Sequence, residues 1–170
     1  NWAYSEPAVT PSFGYTEPAI DADGNVYVIS GNSLVKISNS GAQAWTKALS
    51  MWGGNCPDVT PSLEADGSVV YTAGGTDNTV RVYALNAADG SEKWTVGYDG
   101  FFQPNNSKLL SFWRAGVAVG DDHLFVSCTR GYSINAFSKA NGSSTTYAST
   151  AADGSKMDYS LTCSPALTKD

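Results

Sequence analysis

The chain has no long apolar run. Its hydrophobic stretches, such as Val26-Tyr27-Val28-Ile29, are of strand length, well short of the ~20 residues that a membrane-crossing helix needs. It is also poor in charge. Of 170 residues only 15% are charged, and ten Lys and Arg against sixteen Asp and Glu leave a formal net charge of −6. With 42% apolar residues, such a chain builds a packed domain rather than a disordered tail. The shortage of basic residues argues against nucleic acid as a partner, since that binding draws on clustered positive charge. One His and three Cys show no zinc-ligand spacing. No segment carries the apolar periodicity of an amphipathic helix. Ser, Thr and the 17 Gly suit turns and strands instead.

What is present is a repeat. Thr16-Glu17-Pro18-Ala19-Ile20-Asp21-Ala22-Asp23-Gly24-Asn25-Val26-Tyr27-Val28 parallels Thr60-Pro61-Ser62-Leu63-Glu64-Ala65-Asp66-Gly67-Ser68-Val69-Val70-Tyr71. A third copy runs from Ala115 to Val126, and a fourth opens at Ser164-Pro165-Ala166-Leu167. The copies are unevenly spaced, as loop insertions produce. Each unit predicts four short strands. A first strand of the Pro-Ala-Ile type leads through an Asp-Gly or Asp-Asp turn to an alternating second strand. The third strand covers Ser33 to Ile37, Thr79 to Leu85 or Ser133 to Phe137, and a turn at Gly41, Gly90 or Gly142 precedes the fourth. Four strands in a unit of roughly 40–50 residues describe a propeller blade. The expected fold is therefore all-β, a partial β-propeller of four-stranded antiparallel blades.

One segment carries a family resemblance. Ala84-Leu85-Asn86-Ala87-Ala88-Asp89-Gly90-Ser91-Glu92-Lys93-Trp94 resembles the tryptophan-docking repeat of PQQ-type (quinoprotein-like) propellers, Ala-x-Asp-x-x-Thr-Gly-x-x-x-Trp. Asn86 and Asp89 stand where that pattern has Asp and Thr. The first unit keeps Gly41 and Trp45 at the same spacing, and the third keeps Gly142 with Thr146 in the Trp position. The resemblance implies that Trp45 and Trp94 dock blades together, each burying ~150–250 Å². Gly41 and Gly90 would supply the tight turns before them.

Residues 1–15 are expected to hold the last strand of a preceding blade and a linker. Blades are expected over 16–59, 60–114 and 115–163, and the first strand of a following blade over 164–170. (Glu6-Pro7-Ala8-Val9 echoes Glu17-Pro18-Ala19-Ile20, so a first strand there is an alternative.) Three blades do not close a ring whose range is roughly four to eight. The expected partner is thus the remainder of the propeller, as a second chain after cleavage or as sequence outside this segment.

Functional residues are expected on the long loops 49–59, 98–114 and 148–163, which would rim one face of the channel. Their candidates for binding are Trp52, Phe101, Phe102, Trp113, Arg114 and Tyr159, because loop aromatics suit contact surfaces. Cys128 and Cys163 fall near that same face and form the candidate disulfide, leaving Cys56 as the odd thiol. Asn105 and Asn141 open glycosylation sequons. Together these point to a secreted or extracellular setting, periplasmic in a bacterium. Asp21-Ala22-Asp23-Gly24-Asn25 opens like a calcium loop but lacks its distal Glu. Its recurrence at Asp66-Gly67 and Asp121-Asp122 reads as a structural turn.

No paired general acid and base stands out, and His123 forms no triad with any Ser. The leading expectation is a non-catalytic scaffold or adhesion module that contacts other protein subunits and needs no cofactor. The resemblance alternatively implies a fragment of a quinoprotein dehydrogenase using PQQ and calcium. A third reading is glycan binding through Trp52, Trp113 and Tyr159, whose rings would serve as stacking platforms.

Overall fold

The computed structural model describes residues 2–4, 17–49, 60–76, 79–99, 116–127, 133–148 and 167. Among them the chain forms twelve strands and no helix. Blade 1 comprises β1 (Ala19–Ile20), β2 (Val26–Ser30), β3 (Ser33–Ile37) and β4 (Gln43–Ala48). Blade 2 comprises β5 (Ser62–Leu63), β6 (Val69–Thr76), β7 (Thr79–Asn86) and β8 (Glu92–Asp99). Blade 3 comprises β9 (Val117–Val119), β10 (His123–Ser127), β11 (Ser133–Ser138) and β12 (Ser144–Ala148). Each blade is a separate antiparallel sheet with its strands in chain order. The three sheets do not close on one another, so the fold is a partial propeller.

Local chemistry sets the hairpins. In blade 1 the Asp21 amide donates to the Asn25 carbonyl and the Gly24 amide to the Asp21 carbonyl, both at 3.0 Å. That closure puts Gly24 at φ 82°, a conformation that costs a side chain but not glycine. Blade 2 closes a turn one residue longer, with the Glu64 amide bonded to the Val69 carbonyl, the Gly67 amide to the Glu64 carbonyl, and Gly67 at φ 72°. Blade 3 departs from it. There the Gly120 amide meets the His123 carbonyl at 2.8 Å across a shorter turn.

Both faces of the middle blade are covered, which explains why Val69 to Ala73 is buried without alternation. Residues paired across antiparallel strands share a face. Leu63, Val70 and Leu85 are paired in register and pack with Tyr27, Ile29 and Leu34 of blade 1. Tyr71, Ala84 and Trp94 form the next register row and pack with Val117, Leu124 and Phe137 of blade 3. Among the described residues the core is thus two apolar seams between blades. The blades also meet along their first strands, where the Ser62 hydroxyl donates to the Val117 carbonyl at 2.6 Å and Thr60 bridges Gly116 in parallel.

The fourth strands correct one expectation from spacing. In blades 1 and 2 a bulge interrupts the pairing of the third and fourth strands, between Lys36 and Ile37 and between Ala84 and Leu85. The bulge places Trp45 opposite Lys36 and Trp94 opposite Ala84. Blade 3 pairs without it, so Thr145, not Thr146, lies opposite Ala136 and takes the register position of the tryptophans. A one-residue shift moves every following side chain to the other face, which spacing from Gly142 alone does not reveal.

Gly90→Ala tests what the fourth-strand ring requires. A Cβ on Gly90 would lie 2.8 Å from Trp45 Cε3, whereas one on Gly67 would meet nothing within 4 Å, and both residues have left-handed φ. Gly67→Ala should cost about 1 kcal/mol of backbone strain. Gly90→Ala should cost roughly 1–3 kcal/mol more, from overpacking. Urea unfolding at constant slope measures both.

Candidate functional site

Three tryptophans make the same contact. The Trp45 indole of blade 1 lies against Gly90 of blade 2, and its Nε1 donates to the Ala87 carbonyl at 3.1 Å. The Trp94 indole of blade 2 lies against Gly142 of blade 3 and donates to the Lys139 carbonyl at 2.8 Å. Trp2 lies against Gly41 of blade 1 and donates to the Asn39 carbonyl at 3.0 Å. Each ring lands on the turn glycine of the following blade, where a Cβ would fall within 3 Å of it. The glycines therefore serve twice. They supply the left-handed turn, with φ of 88°, 73° and 74°, and they leave a flat seat for an indole.

Beside each of the two inter-blade indoles sits a polar trio. In blade 1 the Tyr27 hydroxyl donates to Asp21 Oδ2 at 3.1 Å. Lys36 Nζ donates to the Ala87 carbonyl at 2.9 Å and lies 3.9 Å from the same Asp21 oxygen. That carbonyl thus accepts both Trp45 and Lys36 with its two lone pairs. In blade 2 the Tyr71 hydroxyl donates to Glu64 Oε2 at 2.8 Å, while Lys139 Nζ donates to Glu64 Oε1 at 2.7 Å. Lys139 Nζ also donates to the carbonyls of Gly120 and Asp121, at 3.0 and 2.7 Å. The two lysines come from opposite sides of their seams: Lys36 from the blade that carries the acid, Lys139 from the one that follows it. Both seams nonetheless hold one carboxylate, one tyrosine, one ammonium and one indole.

The electrostatics follow from this geometry. Burial pushes the Glu64 carboxyl up, but hydrogen bonds from Lys139 and Tyr71 outweigh it and hold the group below the ordinary carboxylate range. Asp21 is likewise pushed up by burial and brought below its ordinary value by Asn25, Tyr27 and Lys36. Burial and then the adjacent carboxylate raise both tyrosines well above the ordinary phenol range. The phenols therefore stay protonated and act as donors.

A cleft of about 210 Å³ opens between the first turns of blades 1 and 2, lined by Ile20, Asp21, Asp23, Leu63, Glu64 and Asp66 among others. The carboxylates of Asp21, Glu64 and Asp66 are engaged in the fold. Asp21 Oδ1 accepts the amides of Asp23 and Asn25, and Asp66 Oδ1 accepts the Ser68 amide and hydroxyl. The Asp21 segment is thus an Asx-type turn. Among the described residues no group of three or more His, Cys, Asp and Glu is arranged to hold a metal.

Of the residues expected from sequence, Trp45, Trp94, Gly41 and Gly90 come together across blade seams as described. Asn141 is exposed in the turn before β12, where its Oδ1 accepts the Ser143 amide at 2.9 Å. Trp52, Phe101, Phe102, Asn105, Trp113, Arg114, Tyr159, Cys56, Cys128 and Cys163 lie outside the described residues. The sequence reading missed the acid–tyrosine–lysine trios. Their acids and tyrosines were visible as aligned repeat positions, Asp21 with Glu64 and Tyr27 with Tyr71. The lysines were not, because they occupy different repeat positions.

Residues 5–111 match a family of PQQ-type propellers described as outer membrane protein assembly factor BamB. A search of curated proteins finds no match. Among solved structures, BamB from Moraxella catarrhalis shares 18% identity at a TM-score of 0.53, over 85% of this chain and 52% of that one. A quinohemoprotein alcohol dehydrogenase, ADHIIG, from Pseudomonas putida HK5 shares 17% at a TM-score of 0.58, over 81% of this chain and 27% of that one. A protein of unknown function from Bacteroides caccae shares 11% at a TM-score of 0.54, over 82% of this chain and 50% of that one. At these identities the likeness is one of fold. The chain spans about half the length of the first of these structures.

The Glu64–Lys139 pair predicts a pH dependence. Because the folded-state value of Glu64 is depressed, its contribution is fully present above the ordinary value of 4.5 and is lost as pH falls through the folded value. Stability should therefore fall below about pH 5, and less steeply in Glu64→Gln. A double-mutant cycle with Lys139→Met should return a coupling on the order of 1–2 kcal/mol. Chemical denaturation at pH 7 and at pH 3.5 measures both effects.

Proposed function

The chain belongs to the PQQ-type propeller family described as outer membrane protein assembly factor BamB, and from that membership we propose that it is a non-catalytic segment of a larger propeller, serving as a rigid scaffold for contacts with other protein subunits. The observation that supports this most directly is where the polar groups are used. Both inner carboxylates, Asp21 and Glu64, are tied to a tyrosine and a lysine at blade seams. Side chains so occupied hold blades in place. A base of latched blades suits the display of long loops for recognition, since such loops work best on a rigid support. The aromatic loop residues Trp52, Phe101, Phe102 and Trp113 are the proposed contact surface. The remainder of the propeller is its proposed obligatory neighbour. The proposed setting is the periplasm of a bacterium, on the side of the outer membrane. Among the described residues no helix is long and apolar enough to cross a membrane.

A second reading is a piece of a quinoprotein dehydrogenase, favoured by the likeness to the Pseudomonas putida enzyme. On that reading PQQ and calcium would be held by parts of the propeller beyond the described residues.

Native affinity purification of the full-length protein, with mass spectrometry of the intact complex, separates the two. On the scaffold reading a protein partner co-purifies in fixed stoichiometry. Its recovery then falls about tenfold in Trp52→Ala/Trp113→Ala, as expected when two aromatic anchors of an interface are truncated. Quinone absorbance in the purified protein, with calcium-dependent oxidation of alcohols, would overturn it in favour of the dehydrogenase.

A further inference from the structure

Asn141 is the one asparagine of the sequence that is followed by glycine. That pair has a chemistry of its own. The glycine nitrogen can attack the asparagine side-chain carbon and close a five-membered imide, and with no Cβ on the glycine nothing crowds the approach. The fold holds the two reacting groups in opposite states. Asn141 is exposed, and its Oδ1 accepts the Ser143 amide at 2.9 Å, which draws electrons from the carbon to be attacked. The Gly142 amide is committed elsewhere, donating to the Ser138 carbonyl at 2.8 Å. Gly142 is buried, and a Cβ on it would fall 2.7 Å from Val96 Cγ1 and 2.8 Å from Trp94 Cε3. The Trp94 indole also donates to the Lys139 carbonyl of the same turn at 2.8 Å. The electrophile thus stands ready in solvent, while the nucleophile is pinned beneath blade 2.

We infer that Asn141-Gly142 is a site of spontaneous covalent modification under the control of the Trp94 seat: deamidation proceeds when the ring lifts off the turn, and its isoaspartyl product keeps the ring from returning. The steps balance with water as the co-reactant. The Gly142 nitrogen bonds to Asn141 Cγ, the Cγ–Nδ2 bond breaks, and the Gly142 amide proton leaves with the side-chain nitrogen as ammonia. Water then opens the imide at one of two bonds. Opening at Cγ leaves aspartate in an ordinary backbone. Blade 2 already carries that arrangement: Asp89 precedes Gly90, and its Oδ1 accepts the Ser91 amide at 2.9 Å while Gly90 seats Trp45. Opening at the backbone carbonyl instead carries the chain through Cγ and adds one carbon between the Cα of residue 141 and Gly142. One added bond moves the glycine by about 1.5 Å, on a seat that has no room for a Cβ.

Incubation of the full-length protein at mildly alkaline pH, with peptide mass mapping, follows conversion at residue 141, and electron-transfer fragmentation separates aspartate from isoaspartate. Trp94→Ala should convert about tenfold or more faster than the unaltered protein, because loss of the seated ring lowers the cost of local opening. Trp45→Ala, the same truncation at the other seam, should stay within about twofold of the unaltered rate. Equal rates in Trp94→Ala and the unaltered protein, or equal acceleration by Trp45→Ala, would overturn control by the seat. Should Trp94→Ala fail to fold, Trp94→Phe keeps a ring and loses the bond to the Lys139 carbonyl. Conversion about threefold faster in that variant supports the seat, and a rate no faster than the unaltered protein's refutes it. The products supply a second readout. Asn141→Asp should unfold at the same urea midpoint as the unaltered protein, and the purified isoaspartyl form at a lower one. A shared midpoint for the aspartyl and isoaspartyl forms would overturn the unseating of Trp94.

Discussion

An indole ring can lie flat on a neighbouring backbone only where that backbone carries no Cβ. The rest of this structure depends on that constraint. Apolar contact between two sheets is non-directional and does not by itself fix how one lies on the other. Here a tryptophan on the fourth strand reaches across to a turn glycine of the next blade and donates its N–H to a carbonyl within the same turn. The contact joins apolar area, a directional hydrogen bond and a backbone conformation closed to other residues. The bulges in blades 1 and 2 belong to the same device, since they bring Trp45 and Trp94 opposite Lys36 and Ala84. Blade 3 has neither a tryptophan there nor a bulge.

The polar trios solve a second problem at the same seams. Tyrosine is large enough to fill the space beneath the indole, and the ring centroids of Tyr27 and Trp45 lie 5.9 Å apart. Its hydroxyl then needs an acceptor in a half-dry place. A carboxylate after the first strand supplies it, and that carboxylate in turn needs a cation. Lys36 and Lys139 meet the need from opposite blades. Two routes thus bring an ammonium to a seam carboxylate, Lys36 to 3.9 Å from Asp21 and Lys139 to 2.7 Å from Glu64.

This economy bears on function. Among the described residues, Asp21 and Glu64 hold the blades in register. On the proposed reading the blades are the frame and the loops are the working surface. The family is consistent with that division, because the same frame occurs in an outer membrane assembly factor and in an alcohol dehydrogenase.

Much of this was legible in the sequence, and for a local reason. Strand alternation, the Asp-Gly turns and the Gly-to-Trp spacing are written within a few residues of one another, so four strands per unit follow from the repeat, and the docking role of Trp45 and Trp94 from the family resemblance that this spacing carries. The expected grouping of loop aromatics falls on Trp52, Trp113 and Tyr159, which lie outside the described residues. Tertiary structure decided what crosses between units. It selected Gly90 as the seat of Trp45, brought Lys139 to Glu64 from 75 residues away, and put Thr145 rather than Thr146 in the tryptophan's register. Sequence periodicity reports which face a side chain takes within its own sheet. What that face meets depends on how two sheets are placed, and that placement is fixed by contacts between residues far apart in the chain.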